Sequence, residues 1–226
     1  MHIEPGLVDG AKIVLSYATA AVSLGIAAKL AADTVRGSGF GTLVLRSAIA
    51  TVLAFTFFEL LPHAPVGVSE VHLILGSTLF LVFGTGPAAI GLALGLLIQG
   101  LFFAPFDLPQ YGMNVTTLLV PLYGVSLLAK RIIPANTPYV ELQYRQALAL
   151  STAYQGGIVA WVAFWAIYGQ GVTVANVTSI ATFGAAYMSV ILLEPLADLG
   201  VLATAKLFRQ FRGTRLVQQR VYHAAA

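Results

Sequence analysis

The chain reads as an all-α integral membrane bundle of about seven transmembrane helices, and three observations predict it. Of its 226 residues 58% are hydrophobic and only 9% charged, with a mean hydropathy of +0.85, whereas soluble domains carry about 25% charged residues. The apolar residues gather into long runs, and since a crossing helix needs roughly 20 of them, the material suffices for about six to eight helices. Cysteine is absent, which excludes disulfides and thiolate metal sites and leaves imidazole, carboxylate, amide and backbone nitrogen as possible ligands.

The first run covers about residues 11–32, alanine-rich with Gly25, and ends at a polar turn, residues 33–39. A second covers about 42–61, followed by a connection from Pro62 to Val71 without lysine or arginine. The third, about 72–83, is too short to cross as a straight helix; the fourth, about 87–104, follows a Gly84-Thr85-Gly86-Pro87 break. Residues 105–112 form a second connection without basic residues, and the fifth run, about 115–128, stops at Lys130-Arg131. After a polar loop over 132–145, runs at about 146–168 and 179–202 complete the bundle. Residues 1–205 thus read as one transmembrane domain and 206–226 as a basic cytoplasmic tail. Small residues four apart, Ala27 with Ala31, Ala28 with Ala32 and Ala50 with Ala54, would let neighbouring helices approach closely.

An odd number of spans puts the termini on opposite sides, and charge says which is which. Eleven of the twelve Lys and Arg residues, from Lys29 to Arg220, fall on one side and Lys12 alone on the other. The positive-inside rule then places the N-terminus outside and the C-terminus in the cytoplasm. Basic residues confined to connections and tail argue against nucleic-acid binding despite the net charge of +3. Glu4 and Asp9 precede the first apolar run and no basic stretch leads it, so the start does not read as a cleavable signal peptide, and Met1 is expected to be kept.

Met1-His2-Ile3 carries the chemistry of the outer face. The Met1 amine, the His2 backbone nitrogen and His2 Nδ1 can close a five-membered and then a six-membered ring around one ion, giving three coplanar nitrogens. That donor set suits Ni²⁺, Cu²⁺ or low-spin Co²⁺ and suits Mg²⁺, Ca²⁺ or tetrahedral Zn²⁺ poorly. The fourth donor must come from the same face, where His63, His72, Glu59, Glu70 and Asp107 are candidates. His72 is preferred because it follows the Gly67-Val68-Ser69 turn and is expected to open a short helix. His63 is the alternative, four residues after Glu59 and able to share its helix face.

Gln99 and Asn114 lie near the outer ends of their spans, where an amide can orient a ligating imidazole or backbone group. Glu194 sits in an apolar run toward the inner half of the last span, a costly place for a carboxylate, and reads as a coupling or packing contact with Arg46 as its expected partner. His223, in the basic tail, belongs to the wrong face. Neither an ATP-binding P-loop nor a catalytic triad is present in the sequence, so energy must come from a partner or a gradient.

Met1-His2-Ile3 with Glu4-Pro5-Gly6, the segment Gly67 to His72, Gln99-Gly100-Leu101-Phe102-Phe103, Gly112-Met113-Asn114-Val115 and Glu194 together resemble the cobalt/nickel-binding membrane component of energy-coupling factor transporters, the CbiM/NikM family. The resemblance implies a seven-helix protein whose external N-terminus chelates the metal with a loop histidine. Met1 and His2 match the terminal chelate and His72 the loop histidine. It further implies a transmembrane coupling subunit, a pair of cytoplasmic ATPases, a small membrane accessory subunit in some systems, and no cofactor beyond the transported Co²⁺ or Ni²⁺. Two other readings stand beside it: a substrate component for an organic vitamin, and a membrane-embedded metalloenzyme using Glu59, His63 and His72.

Overall fold

The computed structural model describes residues 2–134, 137–190 and, further on, 192, 193, 196, 197, 200, 201, 203 and 204. Seven α-helices are found among them: α1 (Val14–Ser38), α2 (Phe40–Phe55), α3 (Gly76–Phe83), α4 (Thr85–Phe102), α5 (Tyr111–Ile132), α6 (Tyr144–Gln170) and α7 (Val174–Val190). Five stretches, containing α1, α2, α4, α5 and α6, are long and apolar enough to cross a membrane. α3, with 8 residues, rises only about 12 Å, so the short third run is a half-length helix as expected.

Two junctions are single glycines. Gly39, with φ 87°, ends α1 and begins α2, and Gly84, with φ 91°, does the same between α3 and α4. A side chain disfavours that region of φ/ψ space, so glycine permits a reversal without a loop. The polar 33–39 turn is therefore mostly helix: α1 continues to Ser38 and only Gly39 turns. α6 begins earlier than the hydropathy suggests because the side chains of Gln143 and Gln146 form a reciprocal cap at its start. α7 likewise starts at Val174, not near 179, where Asn176 donates to the carbonyls of Ala166 and Gly171 at the end of α6. Residues 105–112 contain a 3-10 helix, Pro105–Gln110, rather than plain connection.

α2 packs on α4 more extensively than any other helix pair, and the cause is small residues. A Cβ added at Gly91 would lie 2.5 Å from Ala50 Cβ, and one at Gly95 would lie 2.8 Å from Ala54 Cβ. The expected Ala50/Ala54 pair thus meets a Gly91/Gly95 pair, letting two backbones touch where hydrophobic collapse between helices is weak. At the outer end, α2 finishes in one wide turn, Thr56–Leu60, closed by the Leu61 N–H on the Thr56 carbonyl at 3.2 Å. His63 falls beyond this turn, so it does not share a helix face with Glu59.

The outer connection after α2 is a β-hairpin, β1 (Ala64–Val66) against β2 (Ser69–Val71), turning at Gly67-Val68. Gly67 has φ 65°, and its Cα abuts the Ser179 carbonyl of α7, so no side chain fits there. Ile3 bridges Ser69, making the N-terminal segment a third, short partner of the hairpin. His72 lies just past β2 and ahead of α3, not in the helix it was expected to open. Leu75, which caps α3, is held in the left-handed region at φ 51°, a strain tolerated only where surrounding packing fixes it. The basic tail from residue 206 lies outside the described residues.

Candidate metal site

The N-terminal segment is tied down along its length. Lys12 Nζ donates to the carbonyls of Tyr168 and Gly169 at 3.1 and 3.0 Å, and Gln170 donates to those of Gly6 and Leu7 at 3.2 and 3.1 Å. Lys12 thereby places its charge at the negative end of the α6 dipole. Closer to the start, the Glu4 N–H donates to the Val68 carbonyl at 3.2 Å, and the His2 carbonyl accepts from Glu70 N–H at 3.0 Å and Ser69 Oγ at 2.8 Å. Asn114 Oδ1, from α5, accepts from the Ile3 N–H at 2.9 Å. Ile3 itself is wholly buried and keys the segment into the bundle core.

These contacts bury His2 and His72 to 5% and 1% exposure and set their rings 5.7 Å apart, edge to face. Both imidazoles are gripped at Nε2. His2 Nε2 lies 2.9 Å from Gln99 Oε1, and the Gln99 amide nitrogen donates to the Phe58 carbonyl at 3.3 Å and to Glu59 Oε2 at 3.1 Å. With that nitrogen committed to two acceptors, Gln99 presents only its oxygen to His2, which assigns the ring proton to Nε2. His72 Nε2 lies 2.9 Å from Glu70 Oε2, and a carboxylate can only accept. Nδ1 of the neutral His72 consequently carries a lone pair and is buried without a hydrogen-bond partner among the described residues, whereas His2 Nδ1 faces the Asp107 carboxylate. The bare Nδ1 of His72, with Nε2 anchored to a carboxylate, matches the arrangement of a metal-ligating histidine.

Electrostatics at this end favour a cation. His2, Glu70 and His72 each offer a donor atom, all within 4.8 Å of one another. Burial, chiefly, pushes the His72 imidazole down to about 3, so it stays neutral and able to ligate at physiological pH. Burial alone would raise the Glu70 carboxyl, but the hydrogen bond it accepts from His72 holds it well below the ordinary range. Burial also raises Glu4, helped by the negative charges of Glu70 and Asp107. Asp107, in the 3-10 helix before α5, brings Oδ2 to 2.8 Å from His2 Nδ1.

His63 is exposed; it stacks on the outer side of His72 with ring centroids 4.8 Å apart and planes inclined by 17°, its Nδ1 donating to the Leu61 carbonyl at 3.2 Å. Of the residues the sequence singled out, His2, His72, Gln99 and Asn114 are brought together, and Met1 and Glu194 lie outside the described residues. Arg46 is buried and borders a cavity of about 280 Å³ around Asp33 and Gly84, at the end of α4 opposite Gln99. The sequence reading missed Ser69 and the Phe58 carbonyl. A Val-Gly-Val-Ser stretch, glycine among β-branched residues, was the available signal for the hairpin that delivers Ser69.

A polytopic helical membrane protein with a buried histidine pair at one end is thus the class that fold and site define. The family model described as CbiM, cobalt uptake substrate-specific transmembrane region, matches residues 2–211, and the chain belongs to that family. It is a membrane component of transition-metal uptake and not an enzyme, which sets aside the metalloenzyme reading of Glu59, His63 and His72. A solved structure, described as the crystal structure of a truncated transition metal transporter, is 20% identical, with a TM-score of 0.67 over 92% of this chain and 98% of that one. At that identity the likeness establishes the fold alone. A sequence comparison with curated proteins finds no match.

Proposed function

We propose that the chain is the substrate-capturing component of an energy-coupling factor importer. It takes Co²⁺ or Ni²⁺ at the outer face of a bacterial inner membrane and passes it inward when a transmembrane coupling subunit and paired cytoplasmic ATPases, with a small membrane accessory subunit in some systems, remodel it. The ion is cargo, held by the Met1 amine, the His2 backbone nitrogen, His2 Nδ1 and His72 Nδ1. Gln99 and Asn114 orient the His2 end, and Glu194 serves coupling or packing in the last span.

The observation that carries this reading is the pair of buried imidazoles, each fastened at Nε2, with His72 Nδ1 unpartnered among the described residues and His2 Nδ1 facing the Asp107 carboxylate. A buried ring nitrogen without a partner, as in His72, is costly, and a transition-metal ion would satisfy it. The test is metal analysis of the full chain purified with a free Met1 amine: one Ni²⁺ or Co²⁺ per chain is expected, and His2→Ala should abolish it. A parent chain that retains neither ion, or a His2→Ala variant that binds as tightly as the parent, would contradict the reading.

A further inference from the structure

Gln155 sits unsatisfied in the middle of the bundle. It lies near the centre of the 27-residue α6 and is wholly buried, and neither its amide oxygen nor its amide nitrogen has a hydrogen-bond partner among the described residues. Leaving such a group buried and unpaired costs more than an apolar side chain of the same shape would. Inside a membrane span, polar side chains that face the bundle interior mark solute and ion pathways. Two contacts fix what surrounds it. Tyr154, one residue before, abuts Gly76 at the start of α3, and a Cβ added at Gly184 of α7 would lie 3.1 Å from Val159, four residues after. Gln155 therefore falls on the α6 surface between α3 and α7. Tyr187, also wholly buried, lies three residues inward of Gly184, so its depth matches that of Gln155 within ~2 Å. Ser77, beside Gly76, is wholly buried, and its hydroxyl has no hydrogen-bond partner among the described residues. Only Leu73, Ile74 and Leu75 separate His72 from Gly76, which keeps the outer site within ~14 Å of this level along the chain.

We propose that Gln155, with the hydroxyls of Ser77 and Tyr187 at its level, forms a second and weaker station for the cargo ion on its way inward, between α3, α6 and α7. This rests on the capture reading above. A short helix that begins at mid-depth, after non-helical chain, is tolerated in a membrane where the irregular backbone is buried in protein or lines a polar cavity. Neutral oxygens hold a partly hydrated dication loosely. A relay needs that weakness, binding well enough to admit the ion and poorly enough to release it. Imidazole suits a borderline metal better than amide or hydroxyl oxygen does, so the ion rests at the outer site until the bundle is remodelled.

The experiment uses the full chain with a free N-terminus, both purified and in cells that also produce its transport partners. Gln155→Leu should lose uptake of radioactive Co²⁺ or Ni²⁺. The purified variant should still bind the ion with the parent affinity and melt no lower than the parent, because an unpaired amide is exchanged for carbon of similar volume. The absence of cysteine from the chain supplies a second arm, which stands even if the leucine variant does not fold. Gln155→Cys introduces a single thiol that a small water-soluble methanethiosulfonate should modify, blocking uptake. Gly25→Cys, where an added carbon meets nothing within 4 Å, should keep its uptake under the same reagent. Parent-level uptake in Gln155→Leu, loss of its outer-site affinity, or a thiol at position 155 that never reacts would each overturn the proposal while leaving the capture reading standing. A parent chain that holds neither ion would instead defeat the capture reading, and this proposal with it.

Discussion

Gln99 holds His2 by Nε2 and leaves Nδ1 facing Asp107. Its oxygen lies 2.9 Å from His2 Nε2, and its amide nitrogen is committed to the Phe58 carbonyl and Glu59 Oε2. The wide turn closing α2 delivers that carbonyl, an instance of an irregular helix turn placed at a site. Gln99→Leu removes the acceptor and leaves the ring free to flip or change tautomer. Affinity for Ni²⁺ or Co²⁺ should fall ~10- to 100-fold, while Gln99→Glu, which still accepts, should lose less. Titration calorimetry checks the order, and an undiminished affinity in Gln99→Leu would contradict it.

The two outer histidines separate in the same assay. His72 is buried beside His2, whereas His63 is exposed and merely stacked on it. His72→Ala should weaken metal binding at least ~10-fold more than His63→Ala. The opposite ranking would move the fourth ligand to His63.

Close helix packing yields a stability prediction independent of metal. Gly91→Val places branched carbon where Ala50 already stands, so α2 must move off α4. Overpacking of this kind costs about 1–3 kcal/mol. The thermal midpoint in detergent should drop for Gly91→Val and much less for Gly25→Val, whose added carbon would meet nothing within 4 Å.

The membrane bundle was legible in the sequence because a bilayer enforces long apolar runs and segregated charge. The buried histidine pair was legible because His2 and His72 are scarce residue types on one predicted face. What stayed hidden is local geometry. His72 was expected to open a helix, yet three hydrogen bonds between the N-terminal segment and the hairpin hold the chain extended there. Such pairing joins residues nearly 70 positions apart, which no local periodicity registers. Helix ends shifted for a similar reason: Gly39 and Gly84 turn the chain in one residue, and the Gln143–Gln146 cap starts α6 on polar side chains that hydropathy discounts.

Metal-free stability should respond to pH through His72. Burial lowers its imidazole to about 3 in the folded chain against 6.5 ordinarily. Above about 6.5 both states hold it neutral and its contribution is fully present; as pH falls toward about 3 only the unfolded chain gains a proton, and stability is lost. The slope from this group is at most about 1.4 kcal/mol per pH unit. Glu70, also lowered, acts below the ordinary carboxylate range, so between about pH 5 and 6.5 His72 dominates the pair. His72→Phe should flatten the dependence of the unfolding midpoint there, and an unchanged slope would contradict the assignment.

The terminal chelate is the centre of the account, and counting protons tests it most directly. The Met1 amine must lose its proton and the metal must displace the hydrogen of the His2 amide, whereas neutral imidazoles release nothing. Calorimetry in buffers of differing ionisation enthalpy, at a pH well below the amine value of about 7.7–8.0, should report close to two protons per ion bound. A count near zero would contradict the amine-amide-imidazole chelate, even in a chain that binds the metal.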